Sequence, residues 1–169
     1  MATTYKALAT VEVGSGGAAS IDFTSIPATY TDLVVVSSTR ASAGSDTVAL
    51  QFNGDTGSNY PYRRLRSDGS AVTSTTGTLT YALGGNQPES TFTANTFSNC
   101  SFYIPNYAGS SNKSISADAV SENNATSAQA QLTASLWSNT AAITSIKIIP
   151  GSGNFVQYST ATLYGIKNS

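Results

Sequence analysis

Tyr60, Tyr62, Arg63, Arg64 and Arg66 form the densest grouping of chemistry-capable side chains in this sequence. Their chemistry is recognition. Tyr and Arg are enriched at the anchors of protein interfaces, and a guanidinium pairs bidentately with a carboxylate. On a strand, Tyr60, Tyr62, Arg64 and Arg66 share one face, because successive side chains alternate. Two readings compete for the segment. It is either part of a contact with a neighbouring protein, or an exposed strand whose arginines pair with Asp55 and Asp68. A sugar or nucleic-acid patch would draw on the same residue types and is the weaker third. The first reading makes all five residues partner-binding candidates.

Other chemistry finds little support. The sequence has no His, so the usual general base and the Ser-His and Cys-His nucleophile pairs are missing. The acidic residues are scattered one per turn or strand edge, as solvated surface positions are. The expectation is no catalytic residues and no enzyme. One Cys without His cannot supply a zinc site. The segment Asn53-Gly54-Asp55-Thr56-Gly57-Ser58-Asn59 is rich in oxygen ligands, but it lacks the bidentate Glu of an EF-hand loop. Asn, Asp and Gly are also what a turn demands, and that simpler reading is preferred. No metal and no cofactor are therefore expected. Cys100 has no partner for a disulfide and reads as a small buried hydrophobe. Asn99, Asn112 and Asn124 begin Asn-x-Ser/Thr triplets, which arise by chance in a chain so rich in Ser and Thr.

Composition narrows the partners. There are 8 Lys+Arg against 9 Asp+Glu, and 10% of residues are charged, well under the roughly 25% of an ordinary domain. Hydroxyls and amides carry solubility instead. Outside the three arginines there is no basic cluster, so nucleic acid is not an expected partner. No apolar run is long enough for a membrane-spanning helix. The start Met1-Ala2-Thr3-Thr4-Tyr5-Lys6 lacks the charged and apolar regions of a signal peptide, so the protein is expected to be made in a cytosol and to stay there, or to leave by assembly or lysis. With 9 Tyr and 6 Phe the chain is not a disordered composition.

The elements that must position these residues read as strands. Short runs of apolar/polar alternation recur between Gly, Asn, Asp, Pro and Ser clusters, and nothing shows sustained helical periodicity. Strands are expected over residues 5–13, 19–23, 32–41, 47–52, 60–65, 78–83, 95–104, 114–120, 129–137, 143–149 and 155–166. Residues 67–77 read as a polar loop. Leu33-Val34-Val35-Val36 is a continuous apolar run, expected on a strand covered on both faces. Asn53-Gly54-Asp55 is a strong turn signal, and Glu122-Asn123-Asn124-Ala125-Thr126 a second turn. Trp137 sits mid-strand, where core packing is the better reading than a sugar platform. About ten strands in one domain, residues 1–169, predict an all-β, two-sheet antiparallel sandwich of jelly-roll type; a closed up-and-down barrel is the alternative.

Several segments also carry a resemblance. Ile21-Asp22-Phe23-Thr24-Ser25-Ile26-Pro27, Phe52-Asn53-Gly54-Asp55 followed by Asn59-Tyr60, Tyr103-Ile104-Pro105-Asn106-Tyr107-Ala108-Gly109, and Thr162-Leu163-Tyr164-Gly165-Ile166 resemble small β-rich virion proteins of tailed phages, notably cyanophages and other aquatic phages. The likeness runs almost end to end and is weakest from Gly69 to Glu89. Its motifs are strand-and-turn motifs, not catalytic ones. It implies a jelly-roll head decoration, or cement, protein on the capsid surface, trimeric and bound to the major capsid protein. A tail-fibre or tailspike module that binds a receptor glycan, or a free carbohydrate-binding module, is the alternative.

Overall fold

Alternating apolar and hydroxyl side chains build strands with one wet and one dry face, and a computed structural model shows how they combine. It describes residues 4–44, 47–122, 124 and 128–167. The turn expected at 122–126 lies mostly outside that set. Twelve strands form: β1 (Tyr5–Glu12), β2 (Ile21–Phe23), β3 (Asp32–Ser38), β4 (Thr47–Phe52), β5 (Tyr60–Ser67), β6 (Val72–Leu79), β7 (Ala82–Asn86), β8 (Asn99–Ile104), β9 (Lys113–Ser121), β10 (Gln129–Trp137), β11 (Ile146–Pro150) and β12 (Thr160–Ile166). An eight-stranded sheet runs β1-β12-β3-β8-β9-β10-β5-β6, and a four-stranded sheet β2-β11-β4-β7 packs on it. Neighbouring strands are antiparallel throughout. The all-β two-sheet sandwich is as expected, with twelve strands rather than ten.

The inner faces supply one core. Leu33 and Val35 on β3, Phe102 on β8 and Ile115 on β9 meet Ile21, Leu50, Phe52 and Ile148 from the smaller sheet. Each such side chain contributes about 1.5–3 kcal/mol when fully buried. β7 lies directly on β9 and β10 because it carries Gly84 and Gly85 where the sheets touch. A Cβ at Gly84 would strike the Phe102 ring, and one at Gly85 the Cβ of Ala119. Polar inner residues of β10 complete the seam: Thr133 Oγ1 and Gln131 Nε2 donate to the Gly84 carbonyl at 2.8 and 3.0 Å, and Ser135 Oγ to that of Leu83 at 3.2 Å.

The strands differ from the sequence expectation in several places. Residues 67–77 are not a loop, since β6 begins at Val72 and pairs with β5 along its whole length. The strand expected over 78–83 is divided, because the chain leaves the large sheet after Leu79 and enters the small one at Ala82. Residues 95–98 are irregular, held by Arg40, whose guanidinium donates to the carbonyls of Phe92, Thr93 and Thr96 at 3.0, 2.9 and 3.2 Å. Of the Leu33–Val36 run, Leu33, Val34 and Val35 are buried, so β3 is covered on both faces there as expected, and only Val36, 41% exposed, lies open.

Candidate functional site

The smaller sheet is narrower than the larger one, and the β5–β6 hairpin extends past it. Burial along β5 records the transition. Tyr60 is fully enclosed, Tyr62, Arg64 and Arg66 on the same face are partly exposed, and β6 is exposed over most of its length. The five residues singled out in the sequence are therefore not one surface.

Tyr60 belongs to the core. Its hydroxyl accepts from the Phe52 amide at 3.2 Å and donates to the Asp55 carbonyl at 3.1 Å, while its ring packs 6.1 Å from that of Phe52. Burial pushes the hydroxyl up to about 12. It presents no surface to a partner. Tyr62 lies over Gly77, where a Cβ would come within 3.0 Å of the ring. Arg63 points to the outer face of the sheet and donates to the Thr76 hydroxyl and, at 3.1 Å, to the Tyr62 carbonyl. Arg64, on the opposite face, donates through Nε to Thr75 Oγ1 at 3.0 Å. The expected ion pairs to Asp55 and Asp68 do not form, because both carboxylates are already committed. Asp55 accepts from Trp137 Nε1 at 2.7 Å, the Gly57 amide at 2.8 Å and Asn59 Nδ2 at 3.0 Å, and the Trp137 bond above all holds it below the usual carboxylate range. Asp68 caps its own turn, accepting from the Ala71 and Ser70 amides, each at 3.0 Å, and from the Ser70 hydroxyl at 2.8 Å; these bring it to about 2. Among the described residues the one ion pair joins Lys147 to Asp22, at 3.6 Å on the far side of the sandwich.

The outer face beside the hairpin carries a feature that alternation alone does not advertise. Register places Leu65 opposite Leu132, while Ser67 and Ala130 bring Val72 and Val120 into the adjoining row. All four aliphatic side chains are at least half exposed: Leu65 51%, Val72 74%, Val120 50% and Leu132 58%. Scattered exposed apolar residues are ordinary, but a contiguous group is characteristic of a contact site. Strand-by-strand reading of the sequence misses it because the four residues come from four strands, and only the register joins them.

The remaining polar signals are structural. Asn53 and Gly54 have φ of 53° and 71°, and the Asp55 amide donates to the Phe52 carbonyl at 2.9 Å, which is the Asn-Gly turn expected. Asn53 Oδ1 accepts the amides of Thr144 and Ser145 at 2.8 and 3.1 Å, so the oxygen-rich segment spends its ligands on its own chain. No cluster of metal-ligating side chains occurs among the described residues. Trp137 is buried against Phe52, with ring centroids 5.5 Å apart. Cys100 is fully buried, and burial raises its thiol. Lys113, unremarked in the sequence, is also buried; its ammonium donates to the carbonyls of Gly109 at 2.8 Å and Ser111, and burial lowers its affinity for the proton. The segments that carry the resemblance act as clasps: the Asp32 carboxylate accepts from the Tyr103 hydroxyl at 2.8 Å and the Asn106 amide at 2.9 Å, and the Tyr107 hydroxyl donates to the Pro27 carbonyl.

What the arrangement offers is a braced sandwich with one overhanging hairpin, cationic along β5 and aliphatic on its outer side. No protein-family model, curated protein or solved structure matches the chain.

Proposed function

We propose that this protein is a structural component of a phage virion, a decoration protein that binds the outside of the head shell and cements it. The observation that carries the reading is the β5–β6 border of the large sheet, where four exposed aliphatic side chains lie on the outer face with Arg63, while Arg64 and Arg66 stand on the opposite face. None of the three arginines has an ion-pair partner among the described residues. A rigid module with such a face is suited to contact with another protein and needs no catalysis, cofactor, nucleic acid or membrane. The likeness of its turn and strand motifs to small virion proteins supplies the setting. In that setting the partner is the major capsid protein, the location is the capsid surface, and assembly takes place in the cytoplasm of the host bacterium. A homotrimer would match the local three-fold positions of an icosahedral shell, and closed cyclic symmetry is the rule among such oligomers. Contact with the shell is assigned to Tyr62, Arg63, Arg64 and Arg66 together with the aliphatic group.

A tail-fibre or glycan-binding module is the second reading. It is weakened by the burial of Trp137, the one Trp of the chain, which removes the best stacking platform for a sugar ring. The two readings differ in copy number. Quantitative mass spectrometry of purified virions, with the major capsid protein as internal standard, should give a decoration protein on the order of hundreds of copies. A few tens of copies, with the protein at the tail in a reconstruction, would overturn the assignment.

A further inference from the structure

The four edges of the two sheets are not treated alike. Exposed edge strands are open templates for pairing, and proteins blunt them with charges, prolines, bulges, short length or cover. β1 carries a bulge between Ala7 and Ala9 and the charged residues Lys6 and Glu12. β2 is three residues long and holds Asp22. β7 is buried at every position. β6 has none of these devices. It is eight residues long, exposed for most of them, free of charged residues and proline, and in unbroken register with β5.

Its neighbours say what would pair with it. Arg63 and Arg64 lie one strand in, on opposite faces, and each reaches across β6 to a hydroxyl of that strand: Arg63 to Thr76, Arg64 to Thr75. Strands lie about 4.8 Å apart. A strand added beside β6 would therefore bring the residues opposite Thr75 and Thr76 within reach of both guanidinium groups, one on each face. Arg66 continues the inner row opposite Thr73 and has no side-chain partner among the described residues. Carboxylates on the added strand would satisfy these cations bidentately. A second copy pairing β6 to β6 would instead bring Arg63 and Arg64 of both chains to the two flanks of the joint, with like charges facing.

We infer that β6 is a strand-addition site for an extended acidic segment of another protein, main-chain hydrogen bonds supplying affinity and Arg63, Arg64 and Arg66 selecting carboxylates from both faces. This goes beyond the virion assignment, and its test requires no capsid. The full chain is titrated with two short synthetic strand-forming peptides, one repeating Val-Glu-Glu-Val and the other Val-Lys-Lys-Val, so that charges stand on both faces of the strand, and amide hydrogen exchange is followed residue by residue. The Glu peptide should slow exchange along β6 and bind at least about tenfold more tightly than the Lys peptide. In Arg63→Glu/Arg64→Glu the preference should invert. The comparison of the two peptides on the unaltered protein stands even if that variant does not fold. Equal protection of β6 by both peptides, or protection by neither, would overturn the inference. So would protection of β6 without peptide that grows with protein concentration, which would assign the edge to a second copy.

Discussion

Arg40 follows β3 with its guanidinium enclosed by a loop and donating to the carbonyls of Phe92, Thr93 and Thr96, whereas Arg63, Arg64 and Arg66 stand on the overhanging hairpin with no ion-pair partner among the described residues. The residue type is the same in both regions and the work differs. Around Arg40 the chain is irregular, and the cation takes the place of a strand partner by satisfying carbonyls that no sheet reaches. Glu89 nearby is held below its usual range, chiefly by the Thr91 hydroxyl and amide and to a lesser degree by Arg40. On the hairpin the backbone of β5 is already satisfied on both sides, by β10 and β6. The charges there are not needed to hold the fold. What separates a structural arginine from a recognition arginine here is whether the local backbone lacks partners.

The largest test of that contrast is Arg40→Ala. It leaves three loop carbonyls without their donor, and hydrogen bonds to a charged group contribute about 1.5–3 kcal/mol each. Water will replace part of that, so a loss of about 3 kcal/mol is expected. At ~2–4 °C per kcal/mol for a chain of this size, calorimetry should show the melting temperature fall by roughly 6–12 °C. A change of under about 2 °C would mean that the loop does not depend on Arg40.

Tyr60→Phe probes the boundary between the two regions, where β5 passes from core to overhang. Losing the hydroxyl leaves the buried Phe52 amide without its acceptor and should cost about 1–2 kcal/mol in chemical denaturation. The pH dependence carries a second signature. The folded hydroxyl titrates near 12 against an ordinary value of 10.0, so the folded state holds the proton more tightly than the unfolded chain. Stability from this group is fully present below pH 10 and is lost as pH rises from 10 towards 12. The Phe variant should lose this part of the alkaline sensitivity. If both proteins lose stability equally over that range, Tyr60 is not the group that titrates.

Much of this division was legible beforehand, and what escaped has physical reasons. β4 and β10 match their expected limits, β4 because Val48, Leu50 and Phe52 recur at every second position and β10 because it alternates between a dry and a wet face. Most of β6 reads as a loop in the sequence because Val72-Thr-Ser-Thr-Thr-Gly-Thr-Leu79 has little apolar alternation. An overhanging edge strand needs none, since neither of its faces is covered. Phe155 reads as part of the last strand but makes isolated bridges to Ala18 and Ala41, and Tyr158 turns the chain at φ 70° before β12 begins. The Tyr-Arg segment stood out by residue type, yet sequence spacing had no means of knowing where the smaller sheet ends. That edge divides Tyr60 from the arginines. The aliphatic group was invisible for a related reason: Leu65, Val72, Val120 and Leu132 meet only through pairing register.

The smallest expected effect on stability belongs to Arg64→Ala/Arg66→Ala, and it tests most directly that the hairpin serves contact rather than folding. Exposed charges without ion-pair partners contribute under about 1 kcal/mol, so the melting temperature should hold within about 4 °C. Capsids stripped of the protein would be incubated with wild type and with the double variant, and occupancy measured by reconstruction. The predicted result is a folded variant with clearly reduced occupancy at concentrations that saturate the shell with wild type. Wild-type occupancy would contradict it and move the contact elsewhere on the sandwich. Unfolding of the variant would contradict it from the other side, by making these arginines part of the frame.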